Sequence, residues 1–218
     1  MQNYPFSPIA GRINLAMGKV LTPKRIAIFT AIISLLSFSY KLTIAIMATS
    51  LVLIIASIPT LLVFLGKIFY VKNMHQSRVK KKKGYLAMAV ATALFVILFL
   101  LFSVFKIGGI DITNQNRFEG WIALLFVIFI VIIFVLSIVH LKGALDRSDL
   151  IVKGIREITF VSALADVVII IEFIIRILKA YTTLPYLDLV STYSPFVIGV
   201  IMLIVAIMMF VRFAKYEP

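Results

Sequence analysis

The sequence predicts an all-α, polytopic membrane protein with six transmembrane helices and a short amphipathic helix near its amino terminus. The chain has 218 residues, of which 62% are hydrophobic, and these fall in long uninterrupted runs. A run of about 20 apolar residues is long enough to cross the hydrocarbon layer as a helix. We therefore expect a single membrane domain over residues 23–218, preceded by a cytoplasmic segment over residues 1–22.

The amino-terminal segment has the pattern of a helix that lies flat on the membrane. Ser7-Pro8 is typical of a helix start, with serine as the cap and proline in the first turn. Apolar residues then recur at helical spacing as far as Leu21, while Arg12 and Lys19 fall between them. This amphipathic pattern predicts an interfacial helix on the cytoplasmic face.

Six apolar stretches predict the transmembrane spans. Because only Lys41 interrupts the stretch from Ile26 to Gly66, we expect the first two spans to form a tight hairpin that turns at this lysine. Ser194-Pro195 predicts the start of the last span. Pro59 predicts a kink in the second span, because proline cannot donate the usual backbone hydrogen bond. The spans are expected at residues 23–40, 43–66, 85–105, 121–141, 158–178 and 195–214.

Two further expectations concern the arrangement of these spans. The second and third are rich in alanine and other small residues, which favours a place at the centre of the bundle. With the amino terminus inside, the outer segments contain only Lys41, Lys106, Arg117 and Lys179 among the basic residues outside the spans. This positive-inside bias predicts a protein of the plasma membrane with both termini in the cytoplasm.

The segment between the second and third spans is the most basic part of the chain. A cluster of cations beside a membrane attracts anionic lipid by roughly 1 kcal/mol per charge, so we expect this loop to bind the inner leaflet. An acidic partner protein is the alternative, and the charges can also serve only to set the topology. No aromatic residues interleave with the lysines, so nucleic acid is not an expected partner. The candidate residues are Lys72, Arg78, Lys80, Lys81, Lys82 and Lys83.

The fifth span contains the candidate functional residues, because ionisable side chains are costly at membrane depth. Thr159, Ser162 and Asp166 lie on one helix face, whereas Glu172 and Arg176 have the four-residue spacing of an ion pair. In one interpretation, Glu172 and Arg176 neutralise each other near the interface, and Asp166 is protonated or hydrogen-bonded to a serine or threonine on a neighbouring helix. In the other, it lines a pathway and takes up a proton or a cation, with Ser162 and Thr159 as relay or substrate contacts.

Enzymatic motifs and metal-ligand patterns were not found in the sequence. His75 and His140 have no acidic or cysteine neighbour at metal-ligand spacing, so we expect no metal, cofactor or catalytic site. Glu172 and Arg176 match part of the E-E-x-x-x-R signature of intramembrane glutamate proteases. Ile171 stands where that signature has its first glutamate, so this family is rejected.

The expected function is that of a non-enzymatic subunit or accessory factor of a larger membrane complex. One alternative is a small secondary transporter or channel that uses Asp166 for proton or ion coupling. Six spans together with Ala27-x-x-x-Ala31 are similar to the substrate-binding subunits of energy-coupling-factor vitamin transporters. That resemblance implies a vitamin-binding subunit whose small-residue motif packs on a transmembrane partner. An immunity or resistance membrane protein is the remaining alternative.

Overall fold

The computed structural model describes residues 23–47, 51–73, 77–109, 128, 131–132, 149–182 and 184–216, and within them it contains helices and no strands. Aliphatic runs favour helices here, because a helix satisfies its own backbone hydrogen bonds in lipid. The helices are α1 (Pro23–Met47), α2 (Leu51–Asn73), α3 (Arg78–Ile107), α4 (Leu150–Tyr181) and α5 (Tyr186–Lys215).

The chain is a helical membrane protein, as its hydropathy predicts. Among the described residues, four helical segments are long and apolar enough to cross a membrane, and a shorter apolar one covers Ala27–Thr43. The described residues therefore provide four such helices and a fifth shorter one, not six. The predicted fourth span lies outside them except for Ile128, Val131 and Ile132, which are helical. The predicted interfacial helix also lies outside them.

The predicted turn at Lys41 is wrong. Helix α1 continues through this residue to Met47, and α2 begins at Leu51, so the connection falls at residues 48–50. A lysine marks a span end when its ammonium group must reach water or headgroups. Lys41 has no such need, because its side chain is buried and forms an ion pair inside the bundle.

The predicted start of the last span at Pro195 is also wrong. Helix α5 begins nine residues earlier, at Tyr186, and Pro195 is buried inside it. A proline in a helix leaves the carbonyl group four residues before it without its usual donor. That carbonyl belongs to Ser191, and Lys106 of α3 donates a hydrogen bond to it at 3.0 Å. A neighbouring helix thus satisfies the acceptor that proline leaves open.

Helices α3 and α4 extend beyond their predicted spans at their amino-terminal ends. The lysine run expected in a loop lies in the first turns of α3, which begins at Arg78. Helix α4 begins at Leu150, and the carboxylate of Asp149 caps it by accepting a hydrogen bond from the backbone nitrogen of Ile151 at 3.0 Å. Charged residues lie near these ends, so apolar runs alone predict helix starts that are too late in the sequence.

Helix α4 occupies the centre of the described bundle. It packs against α2, α3 and α5, whereas α1 packs, among the described helices, only against α2. Half of the apolar part of α4 is buried, compared with 28% for α5. The second and third predicted spans, α2 and α3, also pack against each other and against α4. Helices α2, α3 and α4 therefore form the centre of the described bundle, and α4 is the helix that carries the buried acids.

Gly154 shapes the packing on α4, and Pro59 lies within α2. Gly154 lets Tyr85 of α3 approach closely, since a Cβ atom there would lie 2.9 Å from the tyrosine ring. Pro59 lies inside α2, as the sequence predicts, and its side chain is buried. The kink at Pro59 and a gating role for it stay predictions.

Candidate functional site

The acidic residues of α4 share one feature: each contacts a cation from a different helix. The N-cap residue Asp149 and the three acids within α4 lie at intervals along the helix, from its first turn to its last third. Each forms an ion pair with a lysine or an arginine. The pairs are Lys81–Asp149, Arg212–Glu157, Lys41–Asp166 and Lys106–Glu172.

The pair at the middle of α4 is the most deeply buried. The Lys41 ammonium group donates to both carboxylate oxygens of Asp166, at 2.6 and 2.7 Å. Lys41 is 2% exposed and Asp166 is fully buried. A single charge at this depth would be strongly unfavourable, and two opposite charges in contact offset much of that penalty.

Two hydroxyl groups complete the hydrogen bonding around the Lys41–Asp166 pair. Thr60 of α2 accepts a hydrogen bond from Lys41 at 3.0 Å, and its oxygen also shares a hydrogen bond of 3.0 Å with Ser162 of α4. An ammonium group has three hydrogens to donate, and these contacts use all of them. We call Lys41, Thr60, Ser162 and Asp166 the central polar cluster.

The central polar cluster contains two of the three residues predicted for the polar face of the fifth span. Asp166 and Ser162 belong to it, whereas the hydroxyl group of Thr159 bonds back to the carbonyl oxygen of Ile155 at 2.7 Å. The sequence interpretation gave Asp166 a proton or a serine or threonine partner, and it missed Lys41.

A signal for Lys41 is nevertheless present in the sequence. Ala31, Ser34, Ser37, Lys41 and Ala45 recur at intervals of three or four residues and are all buried. This spacing places them on one face of α1. Among such small and polar residues, a lysine points toward the neighbouring helices rather than toward a membrane surface.

Lys41 is also the link between α1 and the centre of the bundle. Among the described residues, α1 packs against α2 and makes no close backbone contact with α4. The long lysine side chain crosses that gap and reaches Asp166. The ion pair therefore ties the hairpin of α1 and α2 to α4.

Glu172 belongs to a second polar cluster, near the carboxyl end of α3. Lys106 contacts its carboxylate, and the Ser191 hydroxyl group of α5 donates to the same carboxylate at 3.0 and 3.1 Å. Because Lys106 also binds the Ser191 carbonyl group, one lysine joins three helices. The side chain of Arg176 lies outside the described residues, so its predicted pairing with Glu172 stays a prediction.

A third cluster, which the sequence interpretation missed, surrounds Glu157. Its carboxylate accepts a hydrogen bond from the Tyr85 hydroxyl group at 2.8 Å and another from Arg212. Glu157 is buried, and its two partners come from α3 and α5. In the sequence it lies among Lys153 and Arg156, which made this part of α4 resemble a charged loop.

The lysine run of α3 divides into internal and exposed members. Lys81 binds Asp149 at 2.8 Å. Lys82 donates to the carbonyl oxygen of Tyr216 and lies 5.1 Å from the centre of the Phe213 ring. The other predicted lipid-binding residues have exposed side chains: Lys72, Arg78, Lys80 and Lys83.

Among the described residues, no group of three or more histidine, cysteine or acidic side chains has the arrangement of a metal site. The acids of α4 are instead separated along the helix, and each binds a basic side chain. Comparison of the chain with protein-family models, with curated proteins and with solved structures gives no match. The chemistry of the polar clusters is therefore the basis for the functional proposal.

The Lys41–Asp166 pair predicts a specific pattern of stability changes. Lys41→Met or Asp166→Leu alone should lower the free energy of unfolding by about 3–5 kcal/mol, because each leaves an unpaired buried charge. The double variant should recover most of that loss. Thermal unfolding in detergent measures the effect. The matched control is the exposed Lys179–Asp188 pair, whose coupling should be about 0–1 kcal/mol. Additive losses at Lys41 and Asp166 would contradict the pairing.

Proposed function

We propose that this chain is a non-enzymatic subunit or accessory factor that packs against another membrane protein. The observation that carries the proposal is the pairing of each α4 acid with a cation from another helix. Such pairs hold the helices in one arrangement and leave no carboxylate of α4 without a cationic partner. A static bundle of this kind suits a structural role better than a transport cycle, in which charged groups must change partners.

The direction of the helices supports six spans. Lys81 and Asp149 join the first turns of α3 and α4, and Lys106 and Glu172 join parts nearer their carboxyl ends. The two helices therefore run parallel, so α4 begins at the same end of the described bundle as α3. We propose that the span predicted at residues 121–141 connects them, because 21 residues of helix would cover about 31 Å. Both termini then lie on one side, and the positive-inside rule places that side in the cytoplasm.

The free surface of α1 supports a partner in the membrane. Among the described helices α1 packs against α2 alone, and its opposite face carries large exposed apolar side chains such as Phe29 and Leu36. Lipid covers such a face equally well in a monomer. For a subunit, this face is a helix surface on which another transmembrane helix can pack without displacing the described bundle.

A second candidate function is proton or ion coupling through Asp166. The observation that favours it is the central polar cluster, which joins three helices near the middle of α4. A proton transferred from Lys41 to Asp166 would neutralise both groups and weaken the tie between α1 and α4. Coupling by this route needs Lys41 as well as Asp166.

We also propose that the exposed cations near the start of α3 bind anionic phospholipid. Arg78, Lys80 and Lys83 project from α3, and Lys72 lies near the end of α2. Lys81 and Lys82 already have partners within the protein. The proposed lipid contact therefore involves the exposed cations and excludes Lys81 and Lys82.

The subunit proposal predicts a contact between α1 and a second protein. A photo-crosslinking residue at Leu36 of α1 should give one discrete crosslinked species, and that partner should co-purify at a fixed molar ratio in mild detergent. The matched control is Leu94 of α3, which has the same 64% exposure. A monodisperse, uncrosslinked monomer in native membranes would argue against the proposal.

Reconstitution in liposomes separates the two candidate functions. A subunit should give no proton flux above that of protein-free liposomes. Under the coupling candidate, the natural chain gives flux, and a Lys41→Gln/Asp166→Asn double variant loses it without leaving a single buried charge. The control is Lys106→Gln/Glu172→Gln, which removes another ion pair and should keep any flux. Flux that depends on Lys41 and Asp166 would replace the subunit proposal with the coupling one.

The lipid proposal predicts that two charge-matched variants behave differently. Lys80→Gln/Lys83→Gln should weaken retention of anionic phospholipid roughly 30-fold, since each of the two charges contributes roughly 1 kcal/mol. Lys81→Gln/Lys82→Gln should instead lower the melting temperature and retain the lipid. Native mass spectrometry with phosphatidylglycerol and phosphatidylcholine measures retention. Equal loss of lipid from both variants would show that the division is wrong.

A further inference from the structure

The face of α1 that meets α2 carries a line of polar side chains. Thr30, Ser34, Ser37 and Lys41 follow one another at intervals of four, three and four residues, which places them on one side of the helix. Ser34, Ser37 and Lys41 are buried, and Thr30 is partly buried. Helix α1 packs against α2 on this side, so the line lies along the seam between the two helices.

Lys67 of α2 enters this seam from the end at which α1 begins. Its ammonium group donates to the Thr30 carbonyl oxygen at 3.0 Å and to the Ser34 hydroxyl group at 2.8 Å. Unlike Lys41, it forms no ion pair with any described residue. Two of its three hydrogens are used, so the third and the positive charge itself still favour a polar partner.

Ser37 lies along the seam between Ser34 and Lys41. Ser37 is only 5% exposed, so its side-chain oxygen has little access to bulk water. This oxygen also has no hydrogen-bond partner among the described residues. Buried hydroxyl groups in native proteins are nearly always hydrogen-bonded, and water supplies the partner where protein groups do not. The Ser37 hydroxyl group, which has no partner among the described residues, and the Lys67 ammonium group, which has no counter-ion among them, both lie on this seam.

We propose that the seam between α1 and α2 is a water-accessible path that leads from Lys67 past Ser37 to the Lys41–Asp166 pair. The distance from Ser34 to Lys41 along the helix is about 10 Å, which a short chain of hydrogen-bonded waters can cover. Water satisfies the free hydrogen of Lys67 and the hydroxyl group of Ser37. It also brings protons within reach of Asp166 from one side of the membrane.

This path goes beyond the subunit proposal and does not depend on a protein partner. A hydrated seam lowers the penalty of partly burying Lys67, which has no counter-ion among the described residues, whatever the bundle binds. It also explains why α1 has serine at positions facing α2, where alanine would allow an equally close approach.

The natural absence of cysteine makes the path directly testable, because each single-cysteine variant has one thiol. Thiols react through the thiolate form, which needs water. We expect Ser37→Cys to react with a membrane-impermeant, charged methanethiosulfonate on the order of tenfold faster than Leu36→Cys. Leu36 is the adjacent residue on α1, at nearly the same depth, and its side chain is turned about 100° around the helix from Ser37 and is 64% exposed. Labelling after denaturation in detergent counts the total thiol in each variant.

The side of reagent addition tests the direction of the path. Reaction of Ser37→Cys should be faster from the side on which α1 begins, where Lys67 lies. Equal rates for Ser37→Cys and Leu36→Cys, or faster reaction from the opposite side, would overturn the proposal. If Ser37→Cys does not accumulate in the membrane, Ser34→Cys and Ile33→Cys form a second matched pair with the same expected difference.

Discussion

The structure depends on a simple electrostatic constraint. A carboxylate inside a membrane bundle must either pair with a positive charge or become protonated. Helix α4 carries its acids along most of its length, and each meets a lysine or an arginine from another helix. Dispersion forces pack aliphatic helices in many nearly equivalent ways, because lipid tails and leucine side chains are similar surroundings. The ion pairs select one arrangement, since a shift of one helix turn would separate several pairs at once.

The polar contacts of these acids explain features that are unusual for transmembrane helices. Lys106 joins Glu172 to the carbonyl group that Pro195 leaves without a donor, so a proline is accommodated within α5. Gly154 brings the Tyr85 ring against α4, where its hydroxyl group reaches Glu157. Lys41 connects α1 to a helix that it does not otherwise contact closely. In each case the polar contact satisfies a group that lipid would leave unsatisfied.

The sequence was sufficient to predict the helical membrane class and to single out Asp166 and Ser162. Hydropathy carries that information because span length and apolar runs reflect the thickness of the bilayer. It did not reveal the partner of Asp166, because the positive-inside rule treats a lysine as a marker of a membrane surface. Lys41 departs from the rule since an acid from a distant part of the chain neutralises it. Pro195 was misplaced for a related reason, because the donor that makes it tolerable belongs to α3. Partners that are far apart in sequence leave no local pattern.

The central claim is that Lys41 and Asp166 form a buried ion pair, and solid-state nuclear magnetic resonance tests it most directly. The full chain, labelled with ¹⁵N lysine and ¹³C aspartate, would be reconstituted in lipid bilayers, with Lys41→Met used to assign the signal. The structure places the ammonium nitrogen 2.6 Å from a carboxylate oxygen. A dipolar coupling that corresponds to a nitrogen–carbon separation below about 4 Å is therefore expected, as for any ion pair in contact. A Lys41 nitrogen that couples to no aspartate carboxyl carbon would contradict the account.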